Sequence, residues 1–269
     1  MMPGAYSARR SIGPPQWRRA IIVAVSACAF AAWNGAAQAG PNLVQNGGFE
    51  QTSLSESAEF GSAGTVGQQV TNWSTSGYNF VFLPGTADTS GAAGQFGTLN
   101  LWGPGNGSNN GLPASSPAGG NFVAADGAFN VAPITQTIVG LIPGEAAVLT
   151  FYWAGAQQSG FTGPTTDQWA VSLGSQTLYT PVVSLPSHGF SGWITELMTF
   201  TPTSGNEVLS FTAIGTPSGE PPFALLDGVS LTVPEPASWA VMVSGMTILI
   251  LYARRRRKSA SARMSAAVG

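Results

Sequence analysis

From residue 69 to residue 233 the chain repeatedly alternates apolar and polar positions with a period of two, in short runs cut by Gly and Pro. In 147–154 the residues Ala147, Leu149, Phe151 and Trp153 fall on one face. In 207–214, Leu209, Phe211 and Ala213 oppose Val208, Ser210, Thr212 and Ile214. A period of two is the repeat of a half-buried strand, whose successive side chains point to opposite faces. The pattern predicts strands over 69–73, 78–83, 98–102, 121–125, 134–139, 147–154, 168–173, 192–201, 207–214 and 224–233. Pro143-Gly144 and Asp227-Gly228 supply turns. No helix is expected between them. Many short strands at this spacing predict an all-β fold, an antiparallel jelly-roll-like β-sandwich over residues 40–232.

Residues 84–120 break the rhythm. Gly, Ser, Ala, Asn and Pro dominate there, with Leu99-Asn100-Leu101-Trp102 as an apolar island. A loop region is expected, leaning on the sandwich through Phe96 and Trp102.

The two ends follow a different rule. Arg9, Arg10, Arg18 and Arg19 precede an apolar run at 20–33, closed by Ala37-Gln38-Ala39. This predicts a signal peptide over 1–39, with an apolar helix and cleavage between Ala39 and Gly40. Val25-Ser26-Ala27-Cys28 offers a lipoprotein box as the alternative, behind an apolar run too short to suit it. At the other end, residues 237–253 are apolar apart from Ser238, Ser244 and Thr247. As a helix rising about 1.5 Å per residue they would reach roughly 26 Å, close to a ~30 Å hydrocarbon core. Arg254, Arg255, Arg256, Arg257 and Lys258 follow as a basic stop-transfer cluster, and 259–269 as a cytoplasmic tail. The expectation is a precursor exported across the inner membrane, single-pass through one C-terminal transmembrane helix, and placed afterwards at the cell surface or in the extracellular matrix.

Charge sharpens the partition. All 10 Lys and Arg residues lie in the two ends, whereas every one of the 12 Asp and Glu residues except Glu235 lies between Gly40 and Thr232. A base-free polyanion cannot neutralise phosphates, so nucleic acid is excluded as a partner. It has no Lys or Arg with which to make salt bridges. Stability must come from apolar burial, backbone ladders and any bound cation. Cys28 is the only cysteine and falls in the leader, so the sandwich has neither a disulfide nor a Cys-based metal site.

Val233-Pro234-Glu235-Pro236, the apolar segment and the basic cluster together resemble the sorting tail of the PEP-CTERM family. That resemblance implies processing by signal peptidase and an exosortase, with a cut near Val233 to Pro236 and an association with exopolysaccharide or biofilm matrix. A second resemblance lies in the sandwich. Asn42-Leu43-Val44-Gln45-Asn46-Gly47-Gly48-Phe49-Glu50 is similar to the opening of galactose-binding-like jelly rolls and related carbohydrate-binding modules. Leu225-Leu226-Asp227-Gly228-Val229-Ser230-Leu231 resembles their closing strand, and 134–144 with 148–151 their central hairpin. In that family the Glu of the opening motif and the Asp of the closing strand approach a structural calcium, which implies Glu50 and Asp227 as ligands here. Two such carboxylates without a cation would repel unless one took up a proton.

Among the aromatics, Trp73 and Trp102 stand beside loops near Asn72, Asn100 and Asn106, a composition that suits stacking on a sugar ring and bonding its hydroxyls. Trp153 and Trp193 belong to strongly apolar strands and read as core. Catalysis finds no support. His188, the only histidine, sits in a Pro-Ser-His-Gly turn, no Gly-x-Ser-x-Gly elbow occurs, and nothing selects a carboxylate pair. The sequence therefore reads as a non-catalytic exported surface or matrix protein, with a carbohydrate-binding module as the alternative and a glycan hydrolase behind both.

Overall fold

The computed structural model describes residues 40–61, 69–233, 245–252 and 254. The chain divides into two compact units, one of them Ala39–Glu235. Its described residues form thirteen strands: β1 (Ala58–Glu59), β2 (Asn79–Phe82), β3 (Ala92–Gly94), β4 (Gly97–Leu99), β5 (Phe122–Asp126), β6 (Ile134–Val139) and β7 (Ala147–Gln157), followed by β8 (Thr165–Leu173), β9 (Gln176–Tyr179), β10 (Val183–Leu185), β11 (Ile194–Phe200), β12 (Asn206–Thr216) and β13 (Pro222–Thr232). Eight form one sheet in the order β11-β7-β13-β5-β2-β1-β3-β4. Five form the other, β10-β8-β12-β6 with β9 also on β8. All pairings are antiparallel except β1 with β3, so the fold is the expected antiparallel sandwich.

The alternation seen in the sequence is what joins the sheets. Trp169, Val171, Leu209, Phe211 and Ile138 face Val123, Phe151, Trp153 and Leu226 across a shared core. Burying each large side chain contributes about 1.5–3 kcal/mol. A second core covers the outer face of the eight-stranded sheet, where Phe80, Phe82, Phe122, Ala154, Phe223 and Leu225 meet Ala87, Ala92, Leu99, Leu101 and Leu112. The region 84–120 is thus a packed lid containing β3, β4 and a 3₁₀ turn at Pro104–Asn106. It docks through its aliphatic residues, while Phe96, expected as an anchor, points outward at 65% exposure. β2 and β5 accordingly read as unbroken buried runs, the signature of strands covered on both faces.

Residues 69–73 form no strand; Val70 makes only an isolated bridge to Thr52. Asn72 has φ of 68°, which a continuing strand cannot accommodate.

The other unit comprises Met1–Gln38 and Pro236–Gly269. The expected signal helix, with Ala37 and Ala39 of the cleavage motif, lies outside the described residues, as do Pro234, Glu235, Pro236 and Arg255 to Lys258. Gly40, the expected mature start, is buried at the end of the sandwich unit, beside Val233. Among the described residues of the expected transmembrane segment, 245–252 are helical. No helix among the described residues is long and apolar enough to cross a membrane. The expectations of a transmembrane helix, a membrane partner and a single-pass inner-membrane precursor are corrected accordingly.

Candidate functional site

The two tryptophans singled out as sugar platforms are far from equivalent. Trp73 is 2% exposed, with Phe49 and Phe211 at ring centroid distances of 5.2 and 6.3 Å. Its indole N–H donates to the carbonyl of Asn46 at 2.9 Å. Both its ring and its donor are therefore used inside the fold. A groove of about 510 Å³ lies over it, lined by amides and hydroxyls such as Gln69, Thr71, Asn72 and Thr137, with no exposed aromatic ring. Trp102 is half-buried and stacks on His188 at 3.9 Å and 28°. Its N–H donates to the carbonyl of Phe161 at 2.9 Å. Trp102 buttresses a neighbouring loop.

That loop forms one wall of a different cleft. Four connections converge at one end of the eight-stranded sheet: the β3–β4 turn, the segment after β5, the β7–β8 loop and the β12–β13 loop. They place Tyr78, Phe96, Asp126, Phe129, Gln158 and Phe161 around a cleft of about 290 Å³. Tyr78, Phe96 and Phe129 contact one another at ring centroid distances of 5.5–5.7 Å. Phe129 is 43% and Phe161 37% exposed. Exposed rings clustered on a concave surface are the informative exception to aromatic burial.

The polar edge of this cleft is built from inside. Asp126 closes β5 and is buried; its Oδ1 accepts the N–H groups of Ala128 and Phe129 at 2.8 and 2.9 Å. Burial raises its pKa to about 6, against the opposing pull of those two N–H groups. Tyr78 is pushed up to about 12 by burial and by the charges of Glu59 and Asp126. Sequence reasoning passed over Asp126, Phe129, Phe161 and Gln158. A signal was present: Phe96, Phe129 and Phe161 each stand within two residues of a glycine in a turn, where a phenylalanine has little to bury it.

Glu50 and Asp227, proposed from opposite ends of the sandwich, do come together. A Cβ on Gly48 would stand 3.8 Å from Asp227 Oδ1 and 4.0 Å from Glu50 Oε1. Asp227 is fully buried; its Oδ2 accepts the hydroxyl of Ser116, and its Oδ1 the N–H of Gly228 at 2.6 Å. Glu50 Oε1 accepts the N–H of Asn121 at 2.8 Å. Burial is the main cause that lifts Asp227 to about 7; the charge of Glu50 adds to it, while Ser116 and Gly228 oppose it. Two carboxylates and a serine hydroxyl are hard oxygen donors of the kind calcium takes. No group of three or more His, Cys, Asp or Glu side chains is placed to hold a metal among the described residues.

No family model and no curated protein matches the chain. Among solved structures, the fold resembles carbohydrate-binding modules at low identity. It is similar to a CBM61 module in complex with β-1,4-galactotriose, at 15% identity and TM-score 0.36, over 71% of this chain and 97% of that one. The CBM22-1 xylan-binding domain of Paenibacillus barcinonensis Xyn10C gives 13% and 0.34, over 75% and 100%. An adhesin domain of Lys-gingipain from Porphyromonas gingivalis gives 14% and 0.32, over 68% and 98%. With every TM-score below 0.5, these likenesses assign no ligand and no residue role. Nothing in them supports the PEP-CTERM resemblance or the expected exosortase and signal peptidase partners. With no spanning helix among the described residues, the reading as an exosortase-processed surface or matrix precursor is corrected.

Proposed function

We propose that this chain is a non-catalytic carbohydrate-binding protein that receives a sugar ring in the cleft of Tyr78, Phe96, Phe129 and Phe161. The observation that carries this is the exposure of three phenylalanines around a small concavity with a carboxyl and an amide at its edge. The apolar faces of a pyranose stack on such rings, and its hydroxyls need fixed acceptors and donors. Asp126 and Gln158 supply them. The sandwich contains no Lys or Arg to hold an anionic sugar, so the cleft suits uncharged chains.

Isothermal titration of the full chain with soluble neutral glycans tests this. Millimolar or tighter binding that drops about tenfold in Phe129→Ala, a loss of ~1.4 kcal/mol, supports the cleft. Binding that survives the loss of both Phe96 and Phe129 refutes it.

A structural calcium at Glu50 and Asp227 belongs to the same proposal. Those two carboxylates and Ser116 would hold it, with backbone carbonyls completing the shell, and the ion would tie the opening segment to β13.

A further inference from the structure

Asp167 is buried between the sheets near the start of β8, beside the edge strand β10. It lies on the inner face of β8, 0% exposed, and neither carboxyl oxygen has a hydrogen-bond partner. The indole N–H of Trp153 and the hydroxyl of Thr165, on the same core layer, are also unpartnered. Gly155 makes the room for this acid: a Cβ there would stand 2.9 Å from Asp167 Oδ2 and 2.7 Å from Val183 Cγ2.

What lies over Asp167 is thin. β10, three residues long at the sheet edge, pairs Val183 with Asp167 and Leu185 with Thr165. The chain continues as a strap fixed to β7 by Ser191, whose N–H donates to the carbonyl of Gly155 at 3.0 Å and whose hydroxyl accepts the N–H of Gly155 at 2.9 Å. The same strap holds the cleft loop. His188 N–H donates to Gln157 Oε1 at 2.7 Å, Gln157 Nε2 donates to the carbonyl of Gly163 at 3.0 Å, and Gly163 N–H donates to Ser187 Oγ at 3.0 Å. Phe161 is two residues from Gly163 and is also held by Trp102, which stacks on His188.

We propose that residues 183–192 are a latch, closed while the Asp167 carboxyl carries its proton and released when that proton leaves, and that the latch holds the Phe161 wall of the cleft. A carboxylate with no donor or cation in an apolar core is destabilised by several kcal/mol and is relieved only by reaching water. The shortest way out is past β10, a short edge strand whose Ser184 is already exposed. Burial first, and then the charge of Asp126 on β5, hold Asp167 well above the usual carboxylate range. The facing residues of β7 (Trp153, Gly155), β10 (Val183, Leu185) and β12 (Gly215) bring no other titratable group. The link to affinity rests on the cleft being the sugar site; the latch itself does not.

Chymotrypsin cleavage of the full chain at Phe190 and Trp193, normalised at each pH to a peptide substrate, reads the latch directly. Cleavage is expected to accelerate ~10-fold from pH 5 to pH 9 in the wild type, tracking the open population. In Asp167→Asn, which is neutral and of the same size, it stays slow throughout. Asp126→Asn removes the neighbouring charge that helps hold the proton on Asp167, and so shifts the opening to lower pH. Wild-type cleavage that ignores pH, or an Asp167→Asn variant that opens as the wild type does, overturns the latch. If Asp167→Asn fails to fold, the wild-type profile and its shift in Asp126→Asn still decide. Glycan titration on the same samples separates the two readings: a pH-dependent latch with no glycan binding at any pH leaves the latch standing and removes the sugar cleft.

Discussion

The buried carboxyl of Asp126 fixes the position of an exposed ring three residues on, because its Oδ1 accepts the backbone N–H of Phe129 at 2.9 Å. A core acid thereby pre-organises a surface contact, and ordering that is already present in the free protein need not be provided on binding. Asp126→Ala is expected to weaken glycan binding ~5- to 10-fold through the freed Phe129 turn. Asp126→Asn retains an oxygen for both N–H groups and should lose less. Titration of both variants checks the order; equal losses would separate Phe129 from Asp126.

Trp73→Ala removes a core ring. A stability loss of about 3–5 kcal/mol is expected in urea unfolding, in the range measured for large aromatic-to-alanine changes. Glycan affinity of the fraction that remains folded should be unchanged, since the Trp73 ring is packed on Phe49 and Phe211.

Stability should fall as pH rises. Asp126 and Asp227 have folded pKa values of about 6 and about 7, both above the ordinary 3.8. The folded state therefore binds more protons than the unfolded one, and the advantage is complete below pH ~4. It is lost progressively as pH rises through about 6 for Asp126 and about 7 for Asp227, by roughly 3 and roughly 4 kcal/mol respectively. Melting temperatures measured between pH 4 and 8 without calcium should decline across that window. A rise over the same range would contradict these assignments.

Calcium at Glu50 and Asp227 reverses one part of that profile. An ion there favours ionised Asp227, so chelator should lower the melting temperature at pH 7 and the difference should shrink below pH ~5. Asp227→Ala should abolish the chelator effect. No chelator effect in the wild type leaves the pair without a metal.

Strands were readable where one face meets the core: 134–139 matches β6 to the residue, and β7, β8 and β12 differ from expectation only at their ends. Strands covered on both faces carried a second message that alternation does not reveal. Phe80 and Phe82, with Phe122, Phe223 and Leu225, needed a cover, and the Gly-rich segment 84–120 supplies it with Leu99, Leu101 and Leu112. Composition alone made that segment look like a loose excursion. β1, β3, β9 and β10 were illegible because each is only two to four residues long.

The site was partly legible. Glu50 and Asp227 were paired through a motif resemblance and do approach one another. The aromatic cleft was not foreseen, because it is assembled from four separate connections and only the closed sandwich brings Phe96, Phe129 and Phe161 to one end. Of the two tryptophans expected to stack on sugar, Trp73 completes the core and Trp102 supports a loop.

A crystal structure of the full chain soaked with a neutral oligosaccharide that binds in solution tests the central claim most directly. The account predicts a sugar ring stacked against Phe96 or Phe129, with a hydroxyl bonded to Asp126 or Gln158. A ring seated instead in the polar groove beside Thr71 and Thr137, with the aromatic cleft empty, would contradict it.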